Sequence, residues 1–93
     1  YIVSLKIYLL FLNYSSNNTV INNTAINNSQ YNYKVVNSAN NTLYNNNGSY
    51  NSPYGFSFML SDNNTVQSNI ANNNTVGISL VSSNNNLLKI TPL

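Results

Sequence analysis

The sequence predicts an all-β fold, a parallel β-helix of about four coils, each 22–23 residues long. Three observations carry this. The string Asn-Asn-Thr recurs at Asn17, Asn40 and Asn63, with a degenerate copy at Asn85, at spacings of 23, 23 and 22. A serine column, Ser15, Ser38, Ser61 and Ser83, repeats at those same spacings of 23, 23 and 22. Just ahead of it, apolar residues alternate with period two, the mark of a strand with one face buried.

In chain order, the first strand segment is Tyr8 to Ser15, and its copies run from Tyr31 to Ser38, Tyr54 to Ser61 and Val76 to Ser83. Their inward pairs are Leu10/Leu12, Tyr33/Val35, Phe56/Phe58 and Ile78/Leu80. The residue between each pair, Phe11, Lys34, Ser57 or Ser79, faces out. Lys34 fixes that outer side, because burying a lone ammonium costs several kcal/mol. A second short strand follows each Asn pair and carries Val20, Leu43, Val66 or Leu88 inward. A third column comprises Asn23, Asn46 and Asn69. A fourth comprises Asn28, Asn51 and Asn73, once one residue is deleted between Asn69 and Gly77. Leu9, Asn32, Gly55 and Gly77 share a column in which Asn and Gly predict a left-handed bend. Tyr8, Tyr31 and Tyr54 form a tyrosine column ending at Val76.

One repeat then makes one coil, and each strand pairs with its copy about 4.8 Å away. Aliphatic columns stack as core. Asn columns stack at bends, where amides bond neighbouring backbone and tolerate the bend itself. Residues 1–93 read as a single domain, with repeats starting near Asn17, Asn40, Asn63 and Asn85 and an incomplete coil before Asn17. Both ends fall inside repeats without a polar cap, so the expectation is a fragment of a longer solenoid. The apolar stretch at residues 1–14 contains Lys6 and is too short to span a bilayer.

Composition narrows the function. Asn supplies 24 of the 93 residues, Ser 13 and Thr 6. The charged residues are Lys6, Lys34, Lys89 and Asp62, and there is no Glu, Arg, His, Cys or Trp. Ordinary zinc, copper and haem sites lack their ligands. One carboxylate cannot supply a paired acid and base. Three lysines make no basic patch, so no nucleic-acid partner is expected. No cofactor and no catalytic residue are expected.

The residues Asn17 to Val20, Asn40 to Leu43 and Asn63 to Val66, with Gly55-Phe56-Ser57-Phe58 before Ser61 and Gly77-Ile78-Ser79-Leu80 before Ser83, resemble NosD-type or CASH-type repeats. That resemblance covers roughly residues 8–90. It implies a right-handed parallel β-helix of a kind found in archaeal and bacterial surface proteins. The copper and sugar chemistry of such families does not carry over. A single Met59 and the lone Asp62 leave nothing for copper or for an acidic cluster.

Asp62 sits at a bend position shared with Ser16, Ala39 and Asn84, where capping of backbone N–H groups is its expected role. The tyrosine column reads as a stacked ladder closing a corner, with a sugar-stacking stripe as the alternative. Among eight Asn-X-Ser/Thr sequons, Asn13, Asn27 and Asn47 are the expected glycan acceptors. Asn17, Asn40 and Asn63 are expected to point inward or stack too tightly for a glycan. The resulting expectation is a non-catalytic extracellular structural protein: a rigid surface, filament or surface-layer segment, glycosylated and archaeal in character. The alternative is a carbohydrate-binding β-helix module. Its partners would be copies of itself end to end, other surface proteins, or glycans, with no transmembrane segment in this stretch.

Overall fold

The computed structural model describes residues 10–26, 28, 30–50 and 53–89. Eight strands follow in order: β1 (Leu10–Asn13), β2 (Thr19–Ile21), β3 (Tyr31–Val36), β4 (Thr42–Tyr44), β5 (Tyr54–Met59), β6 (Thr65–Gln67), β7 (Val76–Val81) and β8 (Leu87–Lys89). They form two parallel sheets, β1-β3-β5-β7 and β2-β4-β6-β8. A third side is marked by single parallel bridges from Thr24 to Asn47 and from Asn47 to Ile70. The result is a parallel β-solenoid. Four strand layers enclose about 3 turns, slightly fewer than the repeat count predicts. Among the described residues there is no helix, and thus none that could cross a membrane. Tyr8, Leu9 and Ile90 lie outside the described residues.

Strand pairing reproduces the sequence repeat. Leu10 pairs with Tyr33, Tyr33 with Phe56, and Phe56 with Ile78. The second inner ladder is Leu12, Val35, Phe58 and Leu80, and the third is Val20, Leu43, Val66 and Leu88. Tyr33, Val35, Leu43, Phe56 and Phe58 are each 0% exposed. In-register stacking brings the Tyr33 and Phe56 rings to 4.5 Å with 4° between their planes. The predicted outer row, Phe11, Lys34, Ser57 and Ser79, is also in register. Lys34 remains half-buried there, and Ser57 is closely covered.

The bends are built from left-handed residues, but at other positions than the glycine column. Asn32, Gly55 and Gly77 do not have positive φ. Instead Asn32 and Tyr33 both turn inward, and a Cβ at Gly55 would come within 2.6 Å of the Gly48 carbonyl and 2.7 Å of the Gly77 carbonyl. Gly55 is there for close backbone packing. The left-handed residues are Tyr14, Asn37, Leu60 and Ser82 in one column, and Asn17, Asn40, Asn63 and Asn85 in the next. Asn22, Asn45 and Ser68 form a third, and Tyr50 with Asn73 belongs to a fourth.

The deleted residue lies later than the Asn column placed it. Tyr50 N–H still bonds the Asn72 carbonyl in the 23-residue register, whereas Tyr54 pairs with Val76, 22 residues on. Asn74, not Asn73, therefore continues the Asn28 column, and its amide bonds the Gly48 carbonyl at 2.8 Å.

Phe58 sits between Val35 and Leu80 with no solvent contact. Phe58→Asp removes that ring and leaves a carboxylate without a partner. The expected cost is about 4 kcal/mol or more. Thermal melting followed by circular dichroism checks it; an unchanged midpoint would mean that Phe58 faces solvent.

Candidate functional site

Of each repeated Asn pair, the second residue turns inward and the first stays outside. Asn41 and Asn64 are 1% exposed, while Asn17, Asn40 and Asn63 are exposed. This corrects the inward placement expected for Asn17, Asn40 and Asn63. The cause is the left-handed turn at the first residue, which rotates its side chain outward and its successor inward.

The inward amides use both of their polar ends. Asn18 N–H donates to Asn41 Oδ1 at 2.8 Å, Asn41 N–H to Asn64 Oδ1 at 2.8 Å, and Asn64 N–H to Asn86 Oδ1 at 2.7 Å. On the other side, Asn41 Nδ2 donates to the Ser15 carbonyl at 3.1 Å, Asn64 Nδ2 to Ser38 at 3.2 Å, and Asn86 Nδ2 to Ser61 at 3.1 Å. The Asn23, Asn46, Asn69 column repeats the pattern, with Asn46 Nδ2 on the Val20 carbonyl and Asn69 Nδ2 on Leu43, each at 2.8 Å. Serines accept in the same way at the bend after β1 and β3: Ser15 N–H donates to Ser38 Oγ at 2.9 Å, and Ser38 N–H to Ser61 Oγ at 3.1 Å. Asp62 caps as expected, its Oδ1 accepting the Asn84 N–H at 2.7 Å.

The aromatic column is stacked as well. The Tyr31 and Tyr54 rings lie 5.1 Å apart, inclined by 8°. Lys34 Nζ stands 4.4 Å from the Tyr31 centroid and 5.7 Å from that of Phe11. An ammonium does not fit between rings 5.1 Å apart, so it covers the opposite face of Tyr31. Both faces of Tyr31 are thereby occupied, one by a ring and one by a cation. That leaves the ring edge, not a face, to meet a sugar. Tyr8 lies outside the described residues.

Of the three expected glycan acceptors, Asn13 is exposed on β1, Asn47 is half-buried with its Oδ1 enclosed, and Asn27 lies outside the described residues. Asn13 ends β1, whereas Asn47 lies on the bridged third side. The sequon hydroxyls of these two are also engaged: Ser15 Oγ donates to the Asn13 carbonyl at 3.0 Å, and Ser49 Oγ, 2% exposed, accepts the Asn72 N–H at 3.1 Å.

What these features define is a repeat scaffold of coil-to-coil hydrogen bonds, with one carboxylate used as a cap. The chain belongs to the NosD family, described as periplasmic copper-binding protein, which it matches over residues 3–90. No curated protein and no solved structure matches it. Copper sites are built from thiolates, thioethers and imidazoles. The one such donor in the sequence is Met59, which stands on the outer row of β5 between Val36 and Val81. The residues present do not fit the copper of the family's description.

Tyr33 supplies the strongest titration effect. Burial pushes its phenol well above the ordinary value, and the hydroxyl donates to the Asn23 carbonyl at 3.0 Å. The fold favours the neutral form. Its contribution is complete below the unfolded value of about 10 and is lost as pH rises through the higher folded value. Tyr33→Phe should cost about 1 kcal/mol at neutral pH and flatten the alkaline loss of stability. Denaturant titrations at neutral and alkaline pH check this; parallel alkaline losses in both proteins would contradict it.

Proposed function

We propose that this chain is a passive structural segment of the cell envelope, a rigid β-solenoid without catalytic activity. The observation that carries the reading is the use made of its inward polar groups. The amides of Asn41, Asn46 and Asn64 and the hydroxyls of Ser38 and Ser61 are all bonded between coils. They hold the stack together and are not presented to a ligand. Backbone packs closely around Gly55, where a Cβ would meet the carbonyls of Gly48 and Gly77.

The family's description as periplasmic supports a location outside the cytoplasm. Low charge agrees with it: a surface with three lysines and one carboxylate changes little in charge across a wide pH range. A rod, filament or surface-layer element needs stiffness and a repeat more than it needs a site. The β7 and β8 edges leave the inward residues Leu80 and Leu88 each 40% exposed. A parallel edge of this kind accepts a further strand in the same register, from a following coil or from a second copy; for the 93-residue chain by itself, a second copy is the association proposed.

Two measurements test the reading. Calorimetry with copper ions should show no binding; micromolar affinity would overturn the passive role. Sedimentation of the 93-residue chain should show species larger than a monomer at micromolar concentration. Leu80→Lys with Leu88→Lys should return it to a folded monomer. A monomeric wild-type chain would refute the association.

A further inference from the structure

We infer that Asn17, Asn40 and Asn63 form a column of N-glycan acceptors in which adjacent coils cannot both be occupied. The inference rests on the envelope reading, since it requires exposure to a glycosyl transferase outside the cytoplasm. Each of these residues begins an Asn-Asn-Thr sequon, with Thr19, Thr42 or Thr65 as the hydroxyl residue. Their φ angles are 64°, 58° and 57°, and all three lie exposed at a bend. Their backbone N–H groups are tied to the next coil, on the carbonyls of Ala39, Asp62 and Asn84. Their side-chain amides, by contrast, bond no described residue, and neither do the hydroxyls of their threonines. A fixed backbone thus presents a free amide and a free hydroxyl together.

The other described sequons lack that combination. The serine hydroxyls behind Asn13 and Asn47 are bonded to backbone. Asn22 Oδ1 accepts a hydrogen bond from Asn45 Nδ2 at 2.6 Å. Thr75, behind Asn73, is itself engaged.

The donor class is a lipid-pyrophosphate-linked oligosaccharide. The Nδ2–C1 bond forms as the bond from C1 to the pyrophosphate oxygen breaks. The transferase removes the amide proton, and the lipid pyrophosphate leaves with the electron pair. One coil rise is about 4.8 Å, too little for two bulky glycans side by side. Asn40 therefore competes with both Asn17 and Asn63, which are two coils apart.

The test is secretion of the full chain, behind an export leader, from a host with N-glycosylation. Peptide-N-glycosidase in heavy-oxygen water then marks each occupied Asn for mass spectrometry, and intact mass gives the number of glycans per molecule. The expected result is label at Asn17, Asn40 and Asn63, with no more than two glycans from this column on one molecule. Thr42→Ala should abolish label at Asn40 and raise it at Asn17 and Asn63. A folded, secreted chain with all three bare, or labelled at Asn13 or Asn47 instead, would overturn the assignment. Three glycans from this column on one molecule would overturn the exclusion. Because the leader forces export, failure here counts against these sites alone. Fractionation of the native cell tests the envelope reading separately.

Discussion

Each coil is tied to the next by an asparagine amide that faces into the stack. The corner of a solenoid leaves backbone groups unpaired, because the chain turns out of one sheet before it enters another. An orphaned buried N–H or C=O costs about 1–3 kcal/mol. The primary amide carries an acceptor and a donor a short distance apart, and Asn64 uses both: Oδ1 on the Asn41 N–H and Nδ2 on the Ser38 carbonyl. Both partners belong to the preceding coil. A carboxylate would offer no donor; the shorter hydroxyls of Ser38 and Ser61 serve the bends that follow β3 and β5, where they donate to the Val36 and Met59 carbonyls of their own coil. The residue before each inward amide must be left-handed, and Asn tolerates that backbone well. The Asn-Asn pair thus meets two separate demands with one residue type.

The register of the repeat was plain in the sequence, since an in-register stack places like residues on like. The inner ladders through Phe56, Phe58 and Leu43 follow from alternation alone. What alternation could not assign was the orientation at the bends. In Asn40-Asn41 the two residues are chemically identical, and only the φ of 58° at Asn40 decides which one turns in. Composition also hid one of the bends. Tyr14, Asn37, Leu60 and Ser82 share a left-handed backbone but no residue type. At Leu60 that conformation costs roughly 1–2 kcal/mol, which the bond from its N–H to the Val81 carbonyl helps to offset. One signal was available: Asn-Asn recurs five residues apart at Asn17 and Asn22, and both of these first residues are left-handed, at successive corners of one coil. The candidate site was less legible, because exposure of the sequon hydroxyls depends on which way each bend turns.

The same economy of side chains bears on function. A binding site needs polar groups held in place yet unsatisfied. Here the amides of Asn41, Asn46 and Asn64 are satisfied by the neighbouring coil, the Oδ1 atoms of Asn28 and Asn47 are enclosed without a partner, and free amides such as that of Asn40 lie outside at a bend. The aromatic column follows that pattern, with Tyr31 covered by Tyr54 and Lys34. Membership of the NosD family accounts for the scaffold. Its copper would need donors that this composition does not contain.

Inward amides, and not Asn content as such, hold the coils together. Comparing Asn64→Asp with Asn63→Asp tests this, because one of the two neighbours is buried and bonded at both polar ends and the other is exposed. Asp tolerates the left-handed backbone at position 63, so Asn63→Asp should change unfolding stability by less than about 0.5 kcal/mol. Asn64→Asp places a carboxylate against the Ser38 carbonyl and should cost about 3 kcal/mol at neutral pH. Burial raises the new carboxyl's folded value, so the penalty should fade below the unfolded value of about 3.9 and grow as pH rises above it. Equal losses in the two variants at neutral pH, or a greater loss from Asn63→Asp, would contradict the account.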